Sequence, residues 1–490
     1  MININSDSYT KLNINGEIIE TTFTLENCTT AIANSIRRTI LSNIPIVTFD
    51  DTWYNNPAKR SILIHKNTSA IHNEFLSHRL SLLPINMYKT SNLKIVTILK
   101  DSIRSFNFKN NDNVPTFYLK LKNNEATRTE KNMIGYIKVF SNDFRVKNKI
   151  TDIEEDINDY ILPDPYTNDY CIIDLLKSNI LDDNEGEELD LEAKPTIGNG
   201  LINARYTPVG TVSYSFEVDE SNVESVFNLE VEYKNTERSK KKIAQLSNNE
   251  ISVMKKSFNL LGKERVFKCN NYGEANCIKF CVESIGFLGA NQIVMDSLYI
   301  LELKLRDILN SIKFKEENNE IIFTPTDKLL INKSYSELNS YNIILNNENH
   351  TIGNLISEYN KMLYCGEDPI DTDILSFTSY KMPHPLKEII EIKLILNSKN
   401  NLKNLYNILI NYLIKDTPKT NKSDEEIDYD IIIMIFIKTI QYILNDIEIL
   451  KNKWNELNDN SLNSSFEIMD SDEYFNHLNN NENILIKNLL

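Results

Sequence analysis

Two short stretches, IANSI at Ile32–Ile36 and IGNLI at Ile352–Ile356, share one pattern of isoleucine, small residue, asparagine, any residue, isoleucine. No other feature constrains the fold as strongly, because their surroundings repeat as well. Each follows a segment with strand character, EIIETTFTL (Glu17–Leu25) and YNIILNN (Tyr341–Asn347). Each is followed at a distance by apolar residues in alternating steps of four and three. The first series is Val294, Leu298, Leu301, Leu305, Ile308 and Ile312; the second is Phe436, Ile440, Ile443, Ile447, Leu450, Trp454 and Leu457. Such a seam requires a partner helix. The simplest partner for each is the other, which predicts two related units packed about an internal pseudo-two-fold. Periodicity alone leaves open the alternative of two unrelated seams, each buried in its own domain.

The first repeated helix, within TTAIANSIRRTILSNIPIV (Thr29–Val47), is amphipathic. Ile32, Ala33, Ile36, Ile40 and Ile44 fall within one arc at 100° per residue. Thr29 or Thr30 caps its start, and Pro45 disfavours helix at Ile44. Arg37 sits at the margin of the apolar arc. Arg38 points away from it, near Asn34 and Ser42, so these four polar residues are expected to form an outward gripping face. In the second unit Ile352, Leu355, Ile356, Tyr359, Met362 and Leu363 share one stripe, with His350 and Thr351 in the cap region.

A length of 490 residues suggests about three domains. Net charge −16 argues against general affinity for nucleic-acid backbone, which needs clustered Lys and Arg. MININSDSYTKLNING has no apolar core of a secretory leader, so none is expected. The most apolar run, Ile431–Ile437, is too short to span a bilayer. Six scattered cysteines fit a reducing compartment. Only 12 glycines and no phosphate-cradling glycine motif argue against a nucleotide-binding enzyme. The overuse of Asn, Ile and Lys reads as the codon bias of an AT-rich genome.

Metal sites are not expected. His72 and His78 lie on different helix faces. Cys269, Cys277 and Cys281 lack a fourth ligand, whereas structural zinc wants four. The three aspartates of DPIDTDIL (Asp368–Leu375) lack the flanking strand and glycine of a magnesium site.

ANSIRRTILSNIPIVTFD, followed by IHNEFLSHRLSLLPI (Ile71–Ile85), resembles the third-largest subunit of eukaryotic RNA polymerase II, the archaeal D subunit and, more distantly, the N-terminal domain of the bacterial α subunit. Leu191–Tyr214 and Val282–Leu305 resemble that subunit too. NNENHTIGNLI together with Ser379–Leu396 resembles the eleventh subunit, archaeal L. A chain carrying both is similar to the fused polymerase subunit of large nucleocytoplasmic DNA viruses. The resemblance implies an α+β fold, two related dimerisation halves forming an intramolecular pseudo-dimer with a β-rich insert in the first. The segments expected are 1–55 and 215–315 for the first half, 56–214 for the insert, 316–340 for a linker, 341–457 for the second half, and 458–490 for a polar, disordered tail. Expected insert strands are LKIVTIL, TFYLKLK, MIGYIKVF, CIIDLL and ELDLEA. The acidic Leu181–Asp190 is expected as a loop, and the basic Arg238–Lys242 as a solvated lead-in to a helix at Ile251–Leu261; a nuclear address or nucleic-acid contact is the alternative for the basic run. Lys415–Asp428 is expected to break the last helix.

The function implied is a non-catalytic assembly platform of a viral DNA-directed RNA polymerase, with no catalytic residues and no cofactor. The zinc loop of eukaryotic third subunits does not carry over, since the insert holds only Cys171. The partners implied are the largest and second-largest subunits, with small zinc-binding subunits also allowed. No specific DNA contact, membrane or small-molecule substrate is expected. Asn34, Arg37, Arg38 and Ser42 are assigned to subunit binding, with bidentate arginine geometry that Lys would not supply. Ile32, Ile36, Ile40, Leu298, Leu301, Leu305, Ile352, Leu355, Ile356, Ile443, Ile447 and Leu450 are assigned to the pseudo-dimer interface. Ser357 and Glu358 occupy the positions matching the arginines, giving the two halves unlike outer faces. Host cytoplasm and virion are the expected locations, with the nucleus left open. A pseudo-dimeric interaction module outside transcription is the rival reading.

Overall fold

The computed structural model describes residues 2–12, 18–53, 60–86, 115–131, 135–147, 153–164, 167–179, 186–270, 273–286, 288–317, 320–324, 326–334, 339–365, 374–397 and 424–458. Along the chain come β1 (Asn3–Leu12), β2 (Ile18–Glu26) and α1 (Thr30–Ser42), then β3 (Ile46–Phe49), β4 (Ile62–Asn67), α2 (Asn73–Ser81), β5 (Thr116–Lys122), α3 (Glu125–Glu130), β6 (Tyr136–Phe140), β7 (Arg145–Lys147), β8 (Glu154–Glu155), β9 (Ile172–Lys177), β10 (Glu188–Ala193) and β11 (Pro195–Gly198). The chain continues through β12 (Val209–Phe216), α4 (Val223–Lys240), α5 (Asn248–Ser257), β13 (Cys277–Ser284) and α6 (Ala290–Asn310). It ends with β14 (Lys313–Glu317), β15 (Glu320–Thr324), β16 (Leu329–Ser334), β17 (Ser340–Asn346), α7 (His350–Tyr364), β18 (Leu375–Lys381), β19 (Ile389–Leu396) and α8 (Asp424–Asn458).

Two antiparallel four-stranded sheets have the same plan. The first runs β1-β2-β13-β12 and the second β16-β17-β19-β18. In each, the strands taken in chain order lie first, second, fourth, third. In each, a medium helix follows the second strand and a long helix follows the fourth. Period-2 patterning explains the strands: in IIEIKLIL of β19 every second side chain is buried. Both sheets and their four helices share one hydrophobic core that runs from Ile2 to Trp454. A second core is built from Val47 to Ala193, around the five-stranded sheet β4-β10-β5-β7-β8 and the aromatic group Phe49, Phe117, Phe144 and Tyr160.

Several expectations are corrected. The segment boundaries near 55 and 214 fall elsewhere, since β3 packs in the second core and pairs with β11, while β12 pairs with β13 in the first sheet. The stretch 316–340 is not a plain linker: β14 and β15 form a hairpin and β16 opens the second sheet. A helix not foreseen, α4, contains Arg238–Lys240 in its last turn. Arg238 pairs there with Glu250 at 2.7 Å, so this part of the run ends a helix of its own and is not a lead-in, while Ser239 and Lys240 are exposed as expected. Glu188–Asp190, placed in a loop, belongs to β10. Asp424–Asp428, placed in a helix break, already belongs to α8. The strand expected at 93–99, the aspartates of 368–373 and the tail beyond 458 lie outside the described residues.

Candidate pairing and docking surface

Each unit presents its medium helix through the same turn. Asn27 and Asn347 adopt left-handed backbone, φ 53° and 62°, a conformation Asn tolerates better than most residues. Two residues on, Thr29 and Asn349 are the N-caps. Thr29 accepts the Ile32 amide at 3.3 Å, and Asn349 accepts the Thr351 amide at 3.0 Å. The cap of the second helix is thus Asn349, one residue before the His350–Thr351 pair expected from sequence. Asn27 and Asn347, spaced like the IANSI and IGNLI motifs, were a readable signal that sequence reasoning missed.

The twelve residues assigned to pairing are all buried: Ile32, Ile36, Ile40, Leu298, Leu301, Leu305, Ile352, Leu355, Ile356, Ile443, Ile447 and Leu450 are each at most 2% exposed, and all lie in the same core. α1 packs on α6 and α7, and α8 packs on α6 and α7. Trp454 closes the second seam with an edge contact to Phe23 at 4.8 Å and an Nε1–H bond to the Asn291 carbonyl at 3.1 Å. Leu457, the last residue of the periodic series, is instead exposed.

Polar links that apolar periodicity cannot show also cross between the units. The Glu302 carboxylate accepts Arg306 of its own helix at 2.8 Å and Lys451 of α8 at 2.6 Å. Lys451 also stands over the Tyr299 ring at 5.4 Å. Within the second unit the Tyr359 hydroxyl donates to Asp446 at 2.6 Å. Burial pushes the Asp446 carboxyl up, an effect that the tyrosine bond opposes. Burial of Asp296 on α6 raises its carboxyl to about 7, against which a Gln292 hydrogen bond works. Burial also raises the Cys28 thiol far above its ordinary value and so keeps it protonated.

The four residues assigned to docking are not an open gripping face. Arg37 and Arg38 are half-buried, as are Asn34 and Ser42. Arg37 donates Nε and Nη2 to Asn34 Oδ1 at 3.3 and 2.9 Å. Arg38 reaches into the other unit, where its Nε donates to Thr351 Oγ1 at 2.8 Å. Ser42 Oγ turns back on the Arg38 carbonyl at 2.6 Å. The helical wheel placed Arg38 away from α1's own core correctly but could not show that α7 crosses there. Ser357, matched to Arg37 by the repeat, is buried, so an outward face for it is corrected too.

The exposed apolar groups beside α1 are Leu201 and Ile202, each 57% exposed. Their loop is tied to the end of α1 by the Leu201 amide on the Ser42 carbonyl at 3.2 Å. Gly200 is required there: a Cβ would lie 2.1 Å from the Leu41 carbonyl oxygen. Arg205 fixes the other end of the loop through Asp51 at 2.7 Å. Among the described residues, no group of three His, Cys, Asp or Glu is arranged to hold a metal ion. The His72 ring lies against Phe75 in a tilted contact, centroids 4.4 Å apart. No described helix is long and apolar enough to cross a membrane.

Residues 22–305, more than half of the chain, match the model of the RNA polymerase Rpb3/Rpb11 dimerisation domain. The chain belongs to that family. The match takes in α1, the second core and α6, and ends before the second sheet. Among curated proteins, the Conjugation stage-specific protein of Tetrahymena thermophila is 26% identical over 225 residues, 43% of this chain and 61% of that protein. DNA-directed RNA polymerases II, IV and V subunit 3 of Arabidopsis thaliana is 23% identical over 309 residues, covering 58% of this chain and 85% of the relative. DNA-directed RNA polymerases I and III subunit RPAC1 of Saccharomyces cerevisiae is 25% identical over 200 residues, 40% and 53%. The chain thus spans about three-fifths of the Tetrahymena relative and about half of the yeast one.

Proposed function

We propose that this dimerisation-domain chain is a non-catalytic assembly platform of a multisubunit DNA-directed RNA polymerase, in which both pairing partners are fused. The observation that carries the reading is the single core shared by two sheets of identical strand order, latched by Arg38 on Thr351 and Lys451 on Glu302. Fusion makes the pairing intramolecular and independent of subunit concentration. The second unit stands for an eleventh-subunit-like half. The polymerase is viral, with host cytoplasm and virion as the sites of action, a reading supported by the resemblance to fused viral subunits and by the Asn-, Ile- and Lys-rich composition.

The partners are the two large catalytic subunits. One docks at the end of α1, where Leu201 and Ile202 supply apolar contact and Arg37, Asn34 and Ser42 supply hydrogen bonds at the rim, the arrangement of an interface with an apolar centre and polar margin. Arg38 is shared between this surface and the latch. Affinity capture of the full chain from cells that produce it, read by mass spectrometry, tests the proposal. Two much larger polymerase chains in stoichiometric amount are expected. Recovery of a monomer, or of a complex without polymerase chains, overturns it. Leu201→Asp with Ile202→Asp, both at exposed positions, should abolish capture while leaving the melting temperature unchanged.

A further inference from the structure

Among the described residues the three larger sheets have six edge strands, and five carry charge in their sequence. β1 has Asp7 and Lys11, β4 has Lys66, β8 is Glu154–Glu155, β16 has Lys333 and β18 has Lys381. Charge on an edge is a standard device against unwanted strand pairing. β12, VGTVSYSF, has eight residues, no charge and no proline. Pro208 precedes it, so every amide along the edge from Gly210 onward remains a donor.

Which backbone groups face outward follows from the register. The Glu217 amide donates to the Cys277 carbonyl at 3.0 Å, and Ser215, Ser213 and Thr211 oppose Lys279, Cys281 and Glu283. These odd-numbered residues turn their amides and carbonyls toward β13, so Val212 and Tyr214 turn theirs away from it. Among the described residues no strand pairs with that side. Beyond Phe216 the chain enters between the two strands and not outside them: Lys268 donates to the Glu217 carbonyl at 2.9 Å, on the β13-facing side, and its own carbonyl accepts the Asn276 amide at 3.3 Å. Among the described residues the outer side of β12 is therefore bare along its length.

Tyr214 and Phe216 of this strand also line a cavity of about 560 Å³, which Phe267 borders together with polar residues of α1, α7 and the 270–276 turn, among them Asn34, Glu274, Asn354 and Glu358. Phe216 and Phe267 pack with ring centroids 5.1 Å apart. On the opposite face of the strand, Thr211, Ser213 and Ser215 are exposed hydroxyls.

We propose that β12 accepts an added strand: an extended, weakly charged segment of a different polypeptide pairs along Gly210–Phe216 and sets an apolar side chain against Tyr214, Phe216 and Phe267 at the cavity's edge. Only extended backbone satisfies alternating N–H and C=O groups at strand spacing, and side-chain pockets beside such an edge supply selectivity. A second copy of this chain is disfavoured as the occupant, since each copy carries net charge −16 and like-charged molecules repel. The proposal goes beyond the α1 docking surface: the two share Asn34, but the strand edge and the Leu201–Ile202 loop are different contacts.

The test places photoreactive benzoylphenylalanine at Thr211, Ser213 and Ser215 in turn, in the full chain within cells that produce it. All three side chains are exposed, so the fold is retained, which an unchanged melting temperature checks. Cross-links from the three positions should fall in one contiguous segment of one other polypeptide, stepping by two residues from each position to the next. A control at Ser225 of α4 should not reach that segment. Absence of cross-links, scattered targets, or targets in a second copy of this chain would overturn strand addition. Whether the captured polypeptide is a polymerase subunit is read separately, so strand addition and the polymerase assignment fail independently.

Discussion

Leu301 lies midway along α6, 2% exposed, in a core that also holds Ile443, Ile447 and Leu450 of α8. Its truncation therefore tests whether the two units are one folding body. Leu301→Ala removes buried methyl groups and leaves a cavity, a change that costs about 2–5 kcal/mol. The close packing of α8 on α6 and the buried Glu302–Lys451 link beside the site hinder collapse around the hole, which argues for the upper half of that range. Against a stability of roughly 5–15 kcal/mol, such a loss is large enough to raise the population of open states by orders of magnitude. Hydrogen exchange read by mass spectrometry follows each helix. Protection should fall in Ala290–Asn310 and, by a comparable factor, in Asp424–Asn458, more than a hundred residues away in sequence. Leu119→Ala, at a fully buried position of β5 in the second core, is the matched control and should loosen residues 116–193 while α6 and α8 keep their protection. If Leu301→Ala weakens only α6, the long helices belong to independent domains and the fused-pair reasoning is wrong.

Lys451→Met should cost about 1.5–3 kcal/mol in urea unfolding, because a charged hydrogen bond to the buried Glu302 is lost while Arg306 remains. Gly200→Ala drives a Cβ into the Leu41 carbonyl. It should displace the Leu201–Ile202 loop and reduce capture of large subunits at least as much as it lowers the melting temperature, checked by quantitative pull-down beside calorimetry. Asp296 has its carboxyl raised in the folded state, so the native chain holds that proton more tightly than the unfolded chain does. Its contribution is most favourable below about pH 4 and is lost as pH rises toward 7. Asp296→Asn should therefore be more stable than the parent at pH 7.5 and nearly equal at pH 4.5, measured by denaturant unfolding at both values.

The apolar half of this architecture could be read from the sequence because it is periodic. IANSI, IGNLI and the two four-three seams mark surfaces whose burial needs no knowledge of the neighbour's identity, and those twelve side chains do share one core. What crosses between elements was not legible. Arg38 looks solvent-facing on a wheel because the wheel contains α1 alone, whereas its hydrogen-bond partner Thr351 belongs to a helix that meets α1 only in three dimensions. Glu302 is one more charged residue in a sequence that has many, and nothing local says that it will be 8% exposed between two cations. The strand β12 was readable as apolar-alternating but not as the fourth strand of a sheet begun about two hundred residues earlier. Its pairing with β13 comes only after the chain has passed through α4 and α5, a long-range event without a local signature. α4 was missed for a different reason. It buries only Phe227, so it lacks the apolar stripe by which a helix is recognised.

The two sheet-and-helix plans agree where the backbone must have one shape and differ where the surface is free to. Asn27 and Asn347 keep the left-handed turn, Thr29 and Asn349 keep the cap, and the isoleucine stripes keep the core. Outside those positions the correspondence breaks. Arg38 binds Thr351 across the crossing of α1 and α7, but its counterpart in the second helix is Glu358, and the counterpart of Thr351 is Ala31, which offers no side-chain hydrogen-bonding group. One side of the crossing is therefore latched, and on the other Glu358 and Ala31 both border the cavity beneath β12. Two identical chains related by a two-fold axis must carry the same residue at both ends of such a crossing. A single chain need not, so one end serves as a latch while the other keeps an open cleft beside an uncharged strand edge. On this reasoning Ala31→Thr should place a hydroxyl within the cavity without disturbing the Arg38 latch. It should then lower the cross-linking yield from Ser215, which lies beside the cavity wall, more than that from Thr211. Equal yields at both positions would mean that the cavity takes no part in seating the added strand.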